Sequence, residues 1–364
     1  MLMEDLLMYN NLIINSKISG SYSVNFIRDL NQQLNKIELN KSIFIIDKNV
    51  MDLFKEELIL LNENTRLVII ESSEKNKTIE YCQFVIRELI DLDVRINDQL
   101  IAMGGGITQD IVAFISSILF RGVEWVFFPT TLLAQCDSCI GSKSSINFDS
   151  YKNLLGTFNP PTNIYIYKGF LDTLTESEIR SGVGEMLHYY FTEGIELAEQ
   201  ITNQIEVLLS DRNKLDYFII NSLRIKKKII EIDEFDKSIR HIFNYGHTFG
   251  HALEAITNYS IPHGQAITLG MDLANYISLN LDLINSLQFE QLHNILWKNM
   301  PSFEFNDDNI LSYVNALSKD KKNKGNKIGC ILTTGLGLVE KKYIDNNEWL
   351  KQTILSYSKL YKAL

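Results

Sequence analysis

The chain is poor in cysteine and in long apolar runs, and it carries no excess of positive charge. Its 364 residues include four cysteines, so disulfide bonds cannot organise a fold of this length. No apolar run approaches the roughly 18 residues of a membrane span. The formal net charge of -10 argues against nucleic acid or an acidic membrane surface as the main partner, although a local basic pocket could still bind an anionic substrate.

The sequence MLMEDLLMYNN at the N-terminus carries acidic residues and lacks the basic start and apolar core of a signal peptide, so we expect a cytoplasmic protein. Hydrophobic residues make up 45% of the chain and charged residues 22%, as in soluble globular proteins of one large or two ordinary domains.

Cys136 and Cys139 form a C-x-x-C pair. No second pair accompanies it, so two small core residues flanking Asp137 are the simpler interpretation.

The first half of the sequence alternates between β-branched runs and amphipathic stretches. Strands are predicted at residues 42–47, 66–70, 99–103 and 124–128, and helices at 77–90 and 110–119. This alternation predicts a mostly parallel, doubly wound sheet. From about residue 171 the pattern becomes helical, with one late strand predicted at 327–332, and we place the boundary near residues 165–170.

A glycine-rich turn follows the strand at 99–103. Gly104, Gly105 and Gly106 join this strand to the next helix, where backbone N–H groups and the helix dipole favour a pyrophosphate. The pattern is not G-x-G-x-x-G, so a tight turn without a ligand is the alternative. Asp47 ends an earlier strand, where it could hold a ribose hydroxyl or simply form a turn.

Histidine is concentrated in the helical half, where five of the six histidines lie between His188 and His263. His247 and His251 are four residues apart and therefore share one face of a helix. His263 follows a short loop, and Glu185 stands on an earlier helix. Two imidazoles and a carboxylate suit Zn²⁺ with a fourth position open, whereas a single helical histidine is more often structural.

Several cations are candidates for binding an anion, although any one of them is most often a solvated surface charge. Lys152-Asn153 directly precedes an apolar turn, and Arg240 lies one helical turn before Asn244, as in anion-recognition sites. The full set comprises Arg121, Lys143, Lys152, Lys226, Arg240, Lys321 and Lys322.

Eight stretches between about residues 42 and 335 together resemble the 3-dehydroquinate synthase family of sugar-phosphate cyclases. They are GGGITQD, FRGVEWVFFPTTLLAQCDS, GSKSSINF, YKNLLGTFNPP, EIRSGVGEML, DEFDKSIRHIFNYGHTFGHALE, PHGQA and SKDKKNKG. The resemblance implies an α/β Rossmann-like NAD-binding domain over residues 1–168. An all-α metal- and substrate-binding domain would follow over residues 169–364, with the active site between the two. A homodimer is also implied.

The resemblance also assigns roles to individual residues. The implied zinc ligands, which could also take Co²⁺, are Glu185, His247 and His263. The implied NAD contacts are Asp47, Glu74, Lys77, Gly105, Gly106, Asp110, Thr130, Thr131, Lys143, Lys152 and Thr173. The implied catalytic residues are Asp137, Lys143, Lys226, Arg240, Asn244 and His251, which moves His251 from the metal to the phosphate. The implied substrate contacts are Arg121, Lys152, Asn153, His188, Lys321 and Lys322, with Arg121 reaching the neighbouring subunit's site.

The implied reaction is that of a phosphate-eliminating carbon–oxygen lyase in the shikimate pathway of aromatic amino acid biosynthesis. The substrate would be 3-deoxy-D-arabino-heptulosonate 7-phosphate, and the products 3-dehydroquinate and phosphate. The reaction would begin with transient oxidation of the substrate by bound NAD. Phosphate elimination, re-reduction and an intramolecular aldol reaction would then follow in that order. The alternative is a secondary-metabolism cyclase that acts on another sugar phosphate, such as sedoheptulose 7-phosphate.

Three positions depart from the family pattern. Gln109 replaces a glycine and is expected to crowd the pyrophosphate turn. Asp236 replaces a glutamate with a side chain one methylene shorter. His188 replaces a lysine near the substrate and keeps a hydrogen-bond donor without a permanent charge. Arg240, Asn244 and His251 are all present, which favours a substrate with an acid group.

Overall fold

The computed structural model describes residues 11–61, 65–149, 151–320 and 322–363. The described residues form two compact units. The first unit contains the chain up to Leu174 together with Arg212–Phe235, and the second contains Thr175–Asp211 and the residues from Asp236 onward. The boundary predicted between residues 168 and 169 lies close to Leu174, and the segment Arg212–Phe235 returns to the first unit from beyond it.

The first unit is built on a seven-stranded sheet with the order β1-β2-β9-β6-β5-β3-β4. All neighbours pair in parallel except β1, which is antiparallel to β2. A separate hairpin joins β7 and β8. The strands are β1 (Leu12–Ser16), β2 (Gly20–Ile27), β3 (Ser42–Asp47), β4 (Leu67–Ile70), β5 (Gln99–Gly104), β6 (Glu124–Pro129), β7 (Ile146–Phe148), β8 (Tyr151–Leu155) and β9 (Asn163–Tyr167).

Among the residues that the structure describes, five α-helices belong to the first unit. They are α1 (Leu30–Leu34), α2 (Lys48–Leu53), α3 (Ile79–Asp91), α4 (Gly106–Ile118) and α8 (Leu215–Ile232). Strand β3 is buried along its whole length, as expected for an interior strand covered on both faces. Because parallel strands end at the same edge, the carboxyl ends of β3, β5 and β6 bring Asp47, the glycine turn and Thr130 to one edge of the sheet.

The second unit is mainly helical, and its helices pack around α10. They are α5 (Glu176–Tyr190), α6 (Glu196–Asn203), α7 (Ile205–Ser210), α9 (His247–Ile256), α10 (His263–Asn280), α11 (Ser286–Leu296), α12 (Ile310–Ser318) and α13 (Glu348–Ala363). A hairpin of β10 (Lys327–Gly335) and β11 (Leu338–Asp345) adds two strands, of which the sequence analysis predicted only the first. The parallel α/β half and the helical half are thus confirmed.

Helices α5 and α10 touch backbone to backbone at two glycines. A Cβ atom on Gly184 would lie 1.9 Å from the carbonyl oxygen of Gly264, and one on Gly264 would lie 1.7 Å from that of Ser181. Neither distance is sterically allowed, so any larger residue would push the helices apart. The next residues along these helices are Glu185 and His263, which the crossing therefore holds side by side.

Within the described residues, no helix has both the length and the apolar character that crossing a membrane requires.

Candidate functional site

A carboxylate and three imidazoles meet in the second unit. Glu185 lies on α5, His247 and His263 are the first residues of α9 and α10, and His251 lies one turn into α9. Glu185 Oε1 is 3.6 Å from His247 Nε2, and Glu185 Oε2 is 3.3 Å from His263 Nε2. One ring nitrogen from each of the three histidines lies within 4.8 Å of the others. The structure thus brings together all three predicted metal ligands, with His251 beside them.

Two of the imidazoles are oriented by hydrogen bonds at Nδ1. His247 Nδ1 is 3.2 Å from the carbonyl oxygen of Tyr245, and His263 Nδ1 is 3.2 Å from Glu254 Oε1. A proton on each Nδ1 leaves the Nε2 lone pair free on the side of Glu185, as in protein zinc sites. Within the part of the chain that the structure describes, the ring of His251 forms no such bond.

The carboxylate of Glu185 fits a metal ion. Its Oε2 atom is buried and receives no hydrogen bond of normal geometry from the described residues. A buried polar atom without a partner is costly and requires an explanation. One divalent ion close to Glu185, His247 and His263 would satisfy this oxygen, and a carboxylate with two imidazoles is a donor set that suits Zn²⁺.

The cluster also shifts the pKa values of its members. Burial alone would raise the pKa of Glu185, but the neighbouring charge of His188 and the imidazoles of His247 and His263 hold it well below its ordinary value. Burial would lower the pKa of His263, but the carboxylates of Glu185 and Glu254 raise it well above its ordinary value. Because a metal ligand must be the neutral imidazole, metal binding is expected to compete with protonation of His263.

We expect Glu254→Gln to weaken zinc binding about tenfold, since carboxylates that orient a metal-bound histidine typically contribute that much. The amide keeps the size of the side chain but loses the charge that polarises His263. Competition with a chromogenic chelator measures the zinc affinity directly. Glu290→Gln is the matched control, because Glu290 is exposed on α11 and its variant loses the same charge. Equal affinities of the two variants would contradict this role for Glu254.

His188 packs inside this cluster. Its side chain is 1% exposed, its Nδ1 is 3.6 Å from Glu185 Oε1, and its ring centroid is 5.1 Å from that of His247. The imidazole also lies edge-on to Phe243 at 6.0 Å between ring centroids. The ring therefore lies beside the carboxylate of Glu185, and a substrate contact of His188 stays a prediction.

The remaining predicted residues of the second unit lie near the start of α9. Arg240 and Asn244 belong to the helical turn Ile239–Asn244, and Arg240 is buried. Lys322 Nζ is 3.3 Å from Asn244 Oδ1 and 3.4 Å from Asp320 Oδ2. Lys321 lies outside the described residues. The structure therefore brings one lysine and one asparagine together, beside a buried arginine in the same turn.

A buried ion pair lies in the first unit. Lys226 on α8 donates to Asp137 Oδ1 at 2.7 Å and to the Asp137 carbonyl oxygen at 2.8 Å. The side chain of Lys226 is 6% exposed and that of Asp137 is 17% exposed. The sequence analysis named both residues as catalytic but did not predict their pairing, because they are 89 residues apart in the chain.

The predicted nucleotide contacts gather at the carboxyl edge of the sheet. Gly105 caps the N-terminus of α4, and a Cβ atom there would lie 3.0 Å from Thr131 Cγ2. Thr130 is buried beside it. Asp47 Oδ1 accepts a hydrogen bond from the Asn49 N–H at 2.8 Å and so caps α2. The second carboxylate oxygen of Asp47 can still bind a ligand.

Gln109, which departs from the family pattern, has both ends of its amide occupied. Its Nε2 donates to the Ser138 carbonyl oxygen at 2.6 Å, and its Oε1 accepts from the Ser138 hydroxyl at 2.6 Å. The side chain is buried. Gln109 therefore ties α4 to the turn Ala134–Ser138, which carries Asp137. Nothing in the sequence pattern indicated this contact.

The other predicted contacts of the first unit lie on loops and on the β7–β8 hairpin, except for Asp110, which lies on α4. Lys152 Nζ is 3.4 Å from Glu74 Oε1. Lys143 is exposed, as is Arg121, which has a left-handed φ of 69°. The Thr173 hydroxyl lies 3.4 Å from the Phe170 carbonyl oxygen. Lys77, Asp110 and Asn153 form one polar network, in which burial raises the pKa of Asp110 despite the opposing charge of Lys77.

Comparisons with known proteins agree with this arrangement. One family model, described as 3-dehydroquinate synthase N-terminal, matches residues 67–181, and another, described as 3-dehydroquinate synthase C-terminal, matches residues 182–323. The curated 3-dehydroquinate synthase of Thermoanaerobacter sp. (strain X514) is 34% identical over 342 residues, which cover 91% of this chain and 96% of that protein.

Two solved structures share the fold. A 2-deoxy-scyllo-inosose synthase complexed with carbaglucose-6-phosphate, NAD+ and Co2+ has a TM-score of 0.84 at 23% identity, and the match covers 95% of this chain and 100% of that one. The 2-epi-5-epi-valiolone synthase from Streptomyces hygroscopicus subsp. jinggangensis 5008, with NAD+ and Zn2+ bound, has a TM-score of 0.80 at 21% identity, with 93% and 97% covered.

Proposed function

The chain belongs to the 3-dehydroquinate synthase family, and we propose that it converts 3-deoxy-D-arabino-heptulosonate 7-phosphate to 3-dehydroquinate and phosphate. The observation that carries the proposal is the meeting of Glu185, His247 and His263 around one point, with Glu185 Oε2 buried and without a hydrogen bond. These residues would hold a divalent ion, zinc or cobalt. The carboxyl edge of the sheet in the first unit would hold NAD.

Bound NAD would supply reversible hydride transfer, and the metal ion would supply Lewis acidity at the substrate oxygens. His251 would donate a hydrogen bond to a phosphate oxygen, since its ring has no competing bond in the described part of the chain. Arg240 and Lys322 would add positive charge that stabilises the departing phosphate. Asn244 would lie at the same place, because its side-chain oxygen contacts Lys322.

Lys226 and Asp137 would act as a unit on the substrate. The carboxylate and the carbonyl oxygen of Asp137 fix the Lys226 ammonium group in one position, although that group still has a third N–H donor. We propose that this donor binds a substrate hydroxyl. The roles of Lys143, Lys152 and Arg121 as contacts to the cofactor and substrate are part of the same proposal, and they rest on the family resemblance.

The decisive assay incubates the purified protein with heptulosonate phosphate, NAD+ and Zn²⁺. We expect one phosphate released per dehydroquinate formed and no rise in near-ultraviolet absorbance from NADH, because the cofactor is re-reduced and re-oxidised within one turnover. Sedoheptulose 7-phosphate is the comparison substrate. Turnover of that substrate alone would favour the secondary-metabolism alternative, and steady accumulation of NADH would indicate a net dehydrogenase.

We also propose that the protein is a cytoplasmic homodimer. The support is the family membership together with the exposed turn at Arg121, where Phe120, Arg121 and Gly122 all have positive φ values of 51°, 69° and 134°. Non-glycine residues are seldom held in this conformation without a functional reason. Sedimentation equilibrium at micromolar concentration measures the oligomeric state, and a monomer would contradict this part of the proposal.

A further inference from the structure

A buried lysine fixes the direction of an exposed asparagine amide in the first unit. Lys77 immediately precedes the capping residue of α3, and its side chain is 8% exposed. Its Nζ atom is 2.6 Å from Asp110 Oδ2 and donates to Asn153 Oδ1 at 2.8 Å. An ammonium group has only donors. The oxygen of the Asn153 amide must therefore face Lys77, and its nitrogen must face the other way.

A serine hydroxyl beside the amide is compatible with the same orientation. The Ser145 hydroxyl lies 3.0 Å from Asn153 Oδ1 and 3.2 Å from Asp110 Oδ2, so its single proton can be donated to either oxygen. The Ser145 N–H donates to Asp110 Oδ1 at 2.7 Å. Asp110 thus holds both Lys77 and Ser145, and both of these groups lie next to the oxygen of Asn153.

The backbone of Asn153 is fixed as well. Its φ is 51°, a left-handed conformation that asparagine tolerates better than most residues. The Asn153 N–H donates to Asn147 Oδ1 at 2.9 Å, and Asn147 Nδ2 donates to Glu74 Oε1 at 2.9 Å. Neither the main chain nor the amide of Asn153 is therefore free to turn without breaking these bonds.

The two N–H donors of Asn153 Nδ2 face no acceptor among the described residues, and the side chain is exposed. We infer that Lys77 is a positioning residue that makes Asn153 a hydrogen-bond donor to an oxygen of the substrate. This inference rests on the proposed function, in which Asn153 contacts the sugar phosphate. The hydrogen bond would run from the Asn153 amide nitrogen to the substrate, because Lys77 holds the amide oxygen. Lys77 would thus act on the substrate side besides its predicted contact with NAD.

The ligand class follows from the direction of the bond. A fixed donor selects carboxylate, phosphate or hydroxyl oxygens and rejects a group that can only donate. Asn153→Asp tests this, because aspartate keeps an oxygen towards Lys77 but replaces the outward N–H₂ with a second oxygen. At saturating NAD+, we expect the KM for heptulosonate phosphate to rise at least about tenfold, with kcat changed less and the NAD+ affinity within about twofold.

Asn40→Asp is the control, because it adds the same charge at an exposed position. Asn40 lies just before the N-terminal end of β3, whereas the predicted nucleotide contacts gather at the carboxyl end. Equal KM values in the two variants would overturn the inference. Lys77→Met combined with Asp110→Asn removes both charges together and frees the amide to rotate. We expect its KM to rise in the same direction as that of Asn153→Asp. An unchanged KM would show that Asn153 needs no positioning by Lys77.

A neutron structure of the free wild-type protein gives a readout that is independent of turnover. We expect the Asn153 N–H₂ deuterons on the side away from Lys77. A nitrogen that faces Lys77 would overturn the inference whatever the substrate is. A wild-type protein that leaves heptulosonate phosphate unconverted would instead defeat the proposed function, and the neutron structure would then decide the direction of the amide alone.

Discussion

Replacement of His263 with alanine is expected to remove the bound metal ion and to lower kcat roughly 1000-fold or more. The fall in kcat is expected because the variant lacks the Lewis acid, whose stabilisation of developing charge is worth several kcal/mol. Of the three proposed ligands, Glu185 and His247 would remain, and with His251 assigned to the phosphate these two are too few for a zinc site. The side chain is 32% exposed at the start of a helix, so the free energy of unfolding of the metal-free protein should fall by only about 1 kcal/mol.

Elemental analysis of the purified variant measures the first effect, and phosphate release measures the second. His293→Asn is the control, because His293 is buried outside the cluster and its Nδ1 lies 2.8 Å from Asp272 Oδ2, a hydrogen bond that asparagine can replace. The control should keep one zinc ion per chain. A zinc content in His263→Ala equal to that of the wild type would rule out His263 as a ligand.

Lys226→Met is expected to destabilise the first unit by roughly 3 kcal/mol and to abolish turnover. The substitution removes the Lys226 ammonium group from the largely buried carboxylate of Asp137, and breaking a buried pair from one side costs this much because the remaining charge stays desolvated. Urea unfolding followed by circular dichroism measures the change. The loss of turnover follows from the proposed contact of Lys226 with the substrate.

Lys226→Met combined with Asp137→Asn separates the two effects. The double variant removes both charges, so we expect most of the stability to return while activity remains absent. A double variant as unstable as the single one would show that packing of the lysine stem, and not the charge, sustains the fold. Recovery of activity in the double variant would exclude Lys226 and Asp137 from catalysis.

Much of the fold could be predicted because the interior strands of the sheet have apolar middles bounded by polar residues. The run at 42–47 is continuous and buried, so its type is evident from its residues alone. The hairpin of β1 and β2 was missed, since Gly20–Ile27 mixes serine and asparagine with its apolar residues and lies near the edge of the sheet. The partner strand Leu338–Asp345 was missed for a similar reason, because most of its residues reach solvent.

The metal cluster could be predicted from histidine spacing and from family motifs, but its supporting contacts could not. Glu254 lies nine residues before His263 in the chain, and only the turn between α9 and α10 brings its carboxylate to Nδ1. The bonds between Gln109 and Ser138 likewise join positions that no local pattern connects. Such contacts depend on tertiary packing, which sequence spacing does not encode.

The glycine crossing of α5 and α10 sets the separation of Glu185 and His263 through the main chains, so the ion and the helix pair must be thermodynamically linked. A metal that binds only the folded second unit adds about 2.7 kcal/mol to its stability when the free ion exceeds the dissociation constant a hundredfold. Zinc starvation would then lower the amount of folded protein as well as the activity of what remains, and it would leave the second unit more open to proteolysis.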